Sequence, residues 1–359
     1  MSGIPTFAEL PNFHEYTGCA WGVWGPDDEL GTINLLTEEV VAEAAKEIRL
    51  GKSFSLNMPL NFPGKNTQSS TQWDGLRHYG VLGGYNKFYN DTDSDTLSRG
   101  HFFISDPEEL AKYNHKIKLG IHSTPSCFLP SFFFHRQSAV DWAQHGISGR
   151  GVLLDLVRFF TEGGTKPLPY DPWSTHGFSV KDLEDCAAKQ GVEFRRGDIL
   201  LIRGGFGQKW WATTRAERES LSEKPEAFAG IEQSEDMKRF LWDNHFAAVA
   251  SDQPALESYP AIPGPLHMHQ ASSLVSYAFD FLIVFSCRRS SGKHHVTPPV
   301  PAPLTSSHSL FGMPIGEFFE LEKLAQACAE HNRYTFFFAS WPLNVLGGVA
   351  SPPNAAAYL

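Results

Sequence analysis

The chain has 359 residues, 42% of them hydrophobic, so it can bury a full core and is not a disordered protein. Its 30 Lys and Arg residues are outnumbered by 40 Asp and Glu residues, which gives a formal charge of −10. This acidic balance disfavours nucleic acid or an anionic membrane surface as the main partner, and a small-molecule substrate is expected instead.

The cysteines and the apolar segments narrow the class of protein further. The five cysteines form no CxxC pair, which argues against a disulfide framework or a structural zinc site. The first residues lack the basic and apolar regions of a secretory signal. The longest apolar run, 277–287, contains Asp280 and is far shorter than the roughly 20 residues of a membrane helix. We therefore expect a cytoplasmic protein without a membrane span.

Hydrophobic periodicity predicts alternating helices and strands. A helix is predicted after the cap residue Thr37, and a second one between the cap residue Ser179 and Gly191. Further helices are predicted over 234–242 and 317–331, and strands over 53–60, 151–157, 198–203, 246–252 and 334–340. The polar stretch 61–90 is predicted to be a long functional loop.

Short buried strands that alternate with helices indicate an α/β fold, here a single domain over 1–359. Four strands end in or near a polar residue, namely Asp155, Arg203, Asp252 and Ser340. These residues either line a ligand site at the strand ends or tie down a loop by hydrogen bonds. The sequence contains no GxGxxG, GxxxxGK[ST] or GxSxG motif, so a dinucleotide enzyme, a P-loop enzyme and a serine hydrolase have little support.

The most informative motif is TQWDGLRH, residues 71–78. It contains Asp74 and His78 four positions apart, and a carboxylate with an imidazole is the minimal pair for binding a divalent metal or moving a proton. A turn-capping Asp beside a surface His would give the same pattern, so both interpretations are open.

Seven blocks resemble the cyclase family, a group of metal-dependent hydrolases that includes kynurenine formamidase and isatin hydrolase. They run in order along the chain: WGPDDELGTIN (24–34), TQWDGLRH (71–78), GRGVLLD (149–155), RRGDILLIRGGF (195–206), AVASDQPALE (248–257), FGMPIGEFFELEKLA (311–325) and SPPNA (351–355). The resemblance implies a swivelling β/β/α-type fold, with a mixed sheet or partial barrel covered by helices.

The family motif HxGTHxDxPxH, laid on this chain, implies a set of metal ligands. Asp74 matches the metal-bridging Asp and His78 the last His, whereas Gln68 and Gln72 stand where the family has metal-binding histidines. The downstream Glu matches Glu317, and the downstream His is His269 or His267. The resemblance implies one divalent ion, which could be manganese, zinc or magnesium; the amide oxygen of Gln suits a hard cation better than zinc.

The activity implied is hydrolysis of an amide or lactam in a small aromatic substrate, with arylformamides as the family's substrate type. His78 would act as general base, and Trp73, Tyr79 and Arg203 are the candidate substrate-binding residues. A homo-oligomer is possible. Two alternatives remain open: a metal-free cyclase or isomerase, and a non-catalytic descendant that binds a small ligand.

Residues 275–309 differ in character from the rest of the chain. They begin apolar, become basic and end in a run rich in Pro, Ser and Thr, and the family pattern resumes directly afterwards at Leu310. In the family the downstream His lies shortly before the Glu, a spacing restored here only if most of this segment is absent. We hypothesise that the segment is an unspliced intron; a lineage-specific surface loop is the alternative.

Overall fold

The computed structural model describes residues 3–63, 70–81, 85–97, 118–121, 141–221, 224–260, 307–345 and 347–359. Four of the features predicted above lie outside these ranges. They are Gln68, His267, His269 and residues 275–306 of the atypical segment.

The described residues form thirteen strands in three sheets. The strands are β1 (Ser53–Ser55), β2 (Gln72–Asp74), β3 (Lys87–Phe88), β4 (Thr92–Asp93), β5 (Ile147–Asp155), β6 (His176–Phe178), β7 (Ile199–Arg203), β8 (Ala229–Ile231), β9 (Ala248–Ser251), β10 (Ile315–Glu317), β11 (Thr335–Ser340), β12 (Ala350–Ser351) and β13 (Ala355–Tyr358). Two small sheets pair β3 with β4 and β6 with β8.

The main sheet has nine strands in the order β1-β13-β11-β5-β7-β9-β10-β2-β12. Its centre, β5-β7-β9-β10, is parallel, and the flanking pairs are antiparallel. The sheet is curled into a half barrel. This confirms the predicted α/β class with a mixed sheet in a partial barrel.

Helices cover this sheet, and their ends follow from the sequence. They are α1 (Glu38–Ala44), α2 (Trp142–His145), α3 (Leu156–Phe160), α4 (Val180–Gln190), α5 (Phe206–Ala212), α6 (Arg215–Ser220), α7 (Glu235–Asp243), α8 (Ser307–Phe311) and α9 (Glu322–His331). The Ser179 hydroxyl accepts from the N–H of Asp182 at the start of α4, and Gly191 ends that helix with φ +65°. Thr37 caps α1 in the same way, so both predicted starts are confirmed.

The main sheet buries apolar side chains on both faces, because successive residues of a strand point to opposite sides. One core contains Ile202, Val249 and Ile315, and we call this side the Ile315 face. The other contains Leu201, Ala250 and Trp73, and we call it the Trp73 face. The alternation therefore assigns the polar residues of these strands to one face or the other.

Two sequence predictions about the site segments are wrong. Asp74 lies in strand β2 and not in a loop, and Glu317 ends strand β10 and does not start a helix, since α9 begins at Glu322. Both strands are only three residues long, and hydrogen bonds to strands distant in sequence hold them in the sheet. Local periodicity cannot reveal such pairing.

None of the helices in the described ranges combines the length and the apolar character needed to cross a bilayer.

Candidate functional site

The pairing of β2 with β10 brings three of the predicted site residues together. Gln72 lies directly opposite Glu317 in the antiparallel register, and Asp74 lies opposite Ile315. Side chains of directly opposed residues share a face, so Gln72, Asp74 and Glu317 all project from the Ile315 face. The Gln72 Nε2 donates to Asp74 Oδ1 at 3.0 Å and to Glu317 Oε2 at 3.1 Å. The two carboxylates thus converge on one point, which the amide nitrogen of Gln72 occupies.

His78 lies beside this group, one turn after the end of β2. Its main-chain N–H donates to the Gly75 carbonyl, which closes the turn that brings the imidazole back towards Asp74. His78 Nδ1 is 3.6 Å from Asp74 Oδ1, within ion-pair range but longer than a hydrogen bond. The side chain of His78 is 13% exposed, whereas that of Asp74 is fully buried. His78 is therefore the more accessible of the two.

Asp74 and Glu317 place two carboxyl groups close together in a buried environment, with 0% and 2% of their surface exposed. An ionised carboxylate is costly to bury unless positive charge or hydrogen bonds compensate it. A proton, a protonated imidazole or a bound cation would each supply positive charge between them. The carboxyl groups of Asp74 and Glu317 therefore favour a positively charged group between them.

Tyr79 extends the site towards the loop that follows β9. Burial raises the pKa of its phenol well above the ordinary value, and the negative charge of Glu257 and the neighbouring Tyr16 add to the increase. Its carbonyl accepts a hydrogen bond of 2.5 Å from Ser309 Oγ. The last residue of the atypical segment, Ser309 in α8, thus contacts the backbone of Tyr79.

Trp73 and Arg203 lie on the opposite side of the sheet from Gln72 and Glu317. Trp73 is fully buried, its ring packs against Phe319 and Phe338, and its Nε1 donates to Ser340. These contacts make it a core residue, so its position does not support the predicted contact with substrate.

Arg203 follows Leu201 by two residues and therefore points to the Trp73 face. It is 7% exposed and donates to Asp155 at 2.7 Å and to Glu322 at 2.6 Å. The guanidinium of Arg203 is thus bound to two carboxylates of the protein, and a substrate contact is again not supported. Asp252 likewise ties down a loop, because its carboxylate accepts from the N–H groups of Gly204 and Gly205.

Sequence reasoning missed two polar residues near the site. Gln253 and Glu257 belong to the block AVASDQPALE, in which the sequence predicts only Asp252 as a possible site residue. Both are buried, with 0% and 2% of their surface exposed. The available signal was a Gln two residues after the end of the buried strand β9. The sequence prediction names Asp252 as the polar residue at this strand end.

The sequence also matches a family model over residues 48–258, more than half of the chain. The model is that of the Cyclase family. The chain belongs to the cyclase family. The match includes Gln72, Asp74 and His78, whereas Glu317 lies beyond it.

Solved structures resemble this cyclase-family chain along most of its length. One described as a novel cyclase is 26% identical, has a TM-score of 0.62, and the alignment covers 95% of this chain and 99% of that one. Isatin hydrolase A from Ralstonia solanacearum is 11% identical with a TM-score of 0.41, over 85% of this chain and 91% of that one. Isatin hydrolase A from Labrenzia aggregata, bound to benzyl benzoate, is 10% identical with a TM-score of 0.42, over 91% and 98%. The comparison with curated proteins gave no match.

The donors at the site fit a hard divalent cation. In the described part of the chain, no group of three or more His, Cys, Asp and Glu side chains could hold a metal ion. Two carboxylates nevertheless converge, and the third member of the group is an amide. A half turn of the Gln72 carboxamide about its last bond would replace the nitrogen by an oxygen of the same size. Three oxygen donors suit Mg²⁺ or Mn²⁺ better than Zn²⁺.

Proposed function

We propose that this cyclase-family protein hydrolyses the C–N bond of an amide or lactam in a small aromatic substrate, with one hard divalent cation. The observation that carries the proposal is the convergence of Asp74 Oδ1 and Glu317 Oε2 on the same atom, at 3.0 and 3.1 Å, with His78 next to them. Two buried carboxylates and an imidazole are the groups that hydrolytic sites use to bind a cation and move protons.

Asp74 and Glu317 would hold the cation through their carboxylates, and Gln72 through its carbonyl oxygen. The cation, when bound, supplies a lowered pKa for a coordinated water and polarises the substrate carbonyl. The proton transfers are assigned to His78. His78 accepts a proton from water as the new C–O bond forms, and returns it to the leaving nitrogen as the C–N bond breaks.

The proposed substrate type is an arylformamide or a related aromatic amide. Tyr79 follows His78 directly, and its half-buried ring can pack against a planar substrate. Burial and the nearby Glu257 raise the pKa of its phenol, so Tyr79 stays neutral and can donate a hydrogen bond.

Formanilide hydrolysis, measured as release of aniline, tests the proposal when combined with elemental analysis of the purified protein. We expect about one divalent ion per chain, with activity reduced by about 10²- to 10⁴-fold in Asp74→Asn and His78→Gln. Asp93→Asn is the matched control, because Asp93 is an exposed carboxylate paired with Lys87. The proposal fails if Asp74→Asn hydrolyses formanilide as fast as the unchanged protein.

A metal-free isomerase is the second candidate, because Gln72 stands where the family motif has a metal-binding His and is a weaker ligand than imidazole. Asp74 and His78 would then move protons without activating a water. Full activity after chelation and removal of metal, with no hydrolysis product, would favour the isomerase.

The atypical segment calls for the same assays on two forms of the protein, the full chain and one without residues 275–306. This deletion retains α8, whose buried Leu310 and Phe311 belong to the core. If the segment is an unspliced intron, the shortened protein is the more active form and the spliced transcript lacks these codons. A spliced transcript that encodes the segment would exclude the intron.

A further inference from the structure

Gln253 is a fully buried residue whose side chain is not used by the proposed reaction. Within the described part of the chain, neither its Nε2 nor its Oε1 has a hydrogen-bond partner. Its main chain is firmly held, since its N–H donates to Ser251 Oγ at 3.2 Å and its carbonyl accepts from the N–H of Phe318 at 2.9 Å. The backbone of Gln253 is thus held in place, while its buried carboxamide has no hydrogen-bond partner among the described residues.

The side-chain amide of Gln253 lies close to Gly204 and Phe178. A Cβ atom added at Gly204 would be 2.6 Å from Gln253 Nε2 and 3.2 Å from the ring of Phe178. Gly204 lies two residues after Ile202, and both Ile202 and Phe178 belong to the core of the Ile315 face. The amide is thus on the face that carries Gln72, Asp74 and Glu317.

The neighbouring backbone places Gln253 close to Glu317, at the C-terminal ends of the parallel strands. The hydrogen bond from Phe318 joins Gln253 to the residue directly after Glu317. The parallel strands β7, β9 and β10 have their C-terminal ends on this side of the sheet, and ligands bind at the C-terminal ends of strands in α/β sheets. Gln253 therefore follows a strand end beside the proposed reaction centre.

Packing alone does not explain a glutamine at this position. A carboxamide offers two N–H donors and an acceptor oxygen, and burial without partners is unfavourable. The neighbouring Asp252 already provides the structural link, since it accepts from Gly204 and Gly205. A methionine would fill a similar volume without the unsatisfied polar atoms. A buried polar group without partners calls for an explanation, and contact with a bound ligand supplies one.

We propose that Gln253 is a positioning residue that holds a neutral, planar group of the substrate through paired hydrogen bonds. The complement of a carboxamide is a carbonyl and an N–H side by side, as in another amide. An ester has no N–H and can form only one of the two bonds. This inference rests on the proposed function for its site, but amide binding does not require catalysis.

Benzamide and methyl benzoate test the inference, because they share a ring and a carbonyl but only benzamide has the N–H. Calorimetric titration of the full chain in the presence of EDTA is expected to detect benzamide binding. Gln253→Met should weaken it by about 10- to 100-fold, the effect of losing two hydrogen bonds. Methyl benzoate binding should change by less than the benzamide binding. Gln253→Asn keeps the carboxamide but withdraws it by one methylene, and should also weaken benzamide binding.

Gln233→Met is the matched control. Gln233 is a buried glutamine whose Nε2 donates to the Ser258 carbonyl at 2.7 Å. Its replacement is expected to lower the thermal midpoint, whereas Gln253→Met is expected to raise it, because only Gln253 loses unsatisfied polar atoms. Benzamide binding that is unchanged in Gln253→Met, or absent in the unmodified chain, would overturn the inference. Loss of hydrolysis in Asp74→Asn with benzamide binding intact would leave it standing, so the two proposals fail separately.

Discussion

Glu317→Gln replaces one of the two buried carboxylates by a neutral side chain of the same size. The carboxylate oxygens of Asp74 and Glu317 lie 3.0 and 3.1 Å from Gln72 Nε2. They are therefore at most about 6 Å apart, and at an effective dielectric constant of about 20 two like charges at that distance repel by about 3 kcal/mol. In EDTA we expect the variant to be more stable than the unchanged protein, by about 1–3 kcal/mol once the lost hydrogen bond is counted.

Manganese should stabilise the unchanged protein more than the variant. A cation at about 100 times its dissociation constant stabilises the folded state by about 2.7 kcal/mol, and the variant has lost one of the ligands. Urea unfolding with EDTA and with MnCl₂ measures both effects. Glu47→Gln is the control, since Glu47 is a buried carboxylate paired with Arg333, and its loss should reduce stability in both buffers. A Glu317→Gln protein that is less stable in EDTA, and gains as much from Mn²⁺ as the unchanged protein, would refute this reasoning.

Three further predictions follow from single side chains. Gln72→His should raise the affinity for Zn²⁺ by about tenfold or more, because imidazole is the better zinc ligand; calorimetric titration with ZnCl₂ measures this, and an unchanged affinity would place Gln72 away from the cation. Arg203→Met should cost about 3–5 kcal/mol in urea unfolding, because it leaves Asp155 buried without its ion pair; the KM of the remaining folded enzyme should not change, and a large rise in KM would return Arg203 to the substrate site. Burial and the charge of Glu322 raise the pKa of Asp252 to about 7, so its protonated form favours the folded state. That contribution is complete below about pH 4, near the ordinary pKa, and is lost as pH rises through 7; urea unfolding between those values should show a decline in stability that Asp252→Asn lacks, and an equal decline in both proteins would contradict the pKa.

The sequence predicts the elements whose signals are local. Ser179 and Gly191 delimit α4 because capping groups act within one turn, and ILLIR of β7 is recognisable as a buried strand. The strands β2 and β10 were missed, since each is short and is stabilised by a partner far away in sequence. Gln72 and Glu317 are 245 residues apart, and no local pattern links them.

The candidate site was predicted in part through the family resemblance. The family motif predicts Gln72, Asp74 and Glu317 as metal ligands, and the structure brings their side chains together. The face of the sheet on which each side chain lies could not be predicted, because it depends on strand register. The sequence predicts Trp73 as a substrate contact from its aromatic ring near the motif, and Arg203 from its place at a strand end, whereas both lie on the opposite face of the sheet.

Metal content and formanilide turnover, determined on the same preparation, test the central claim most directly. The shared site of Asp74, Glu317 and His78 predicts about one divalent ion per chain, hydrolysis that stops on chelation and returns with Mn²⁺, and loss of both ion and activity in Asp74→Asn. Undiminished hydrolysis by a protein stripped of metal, or a full complement of metal in Asp74→Asn, would contradict it.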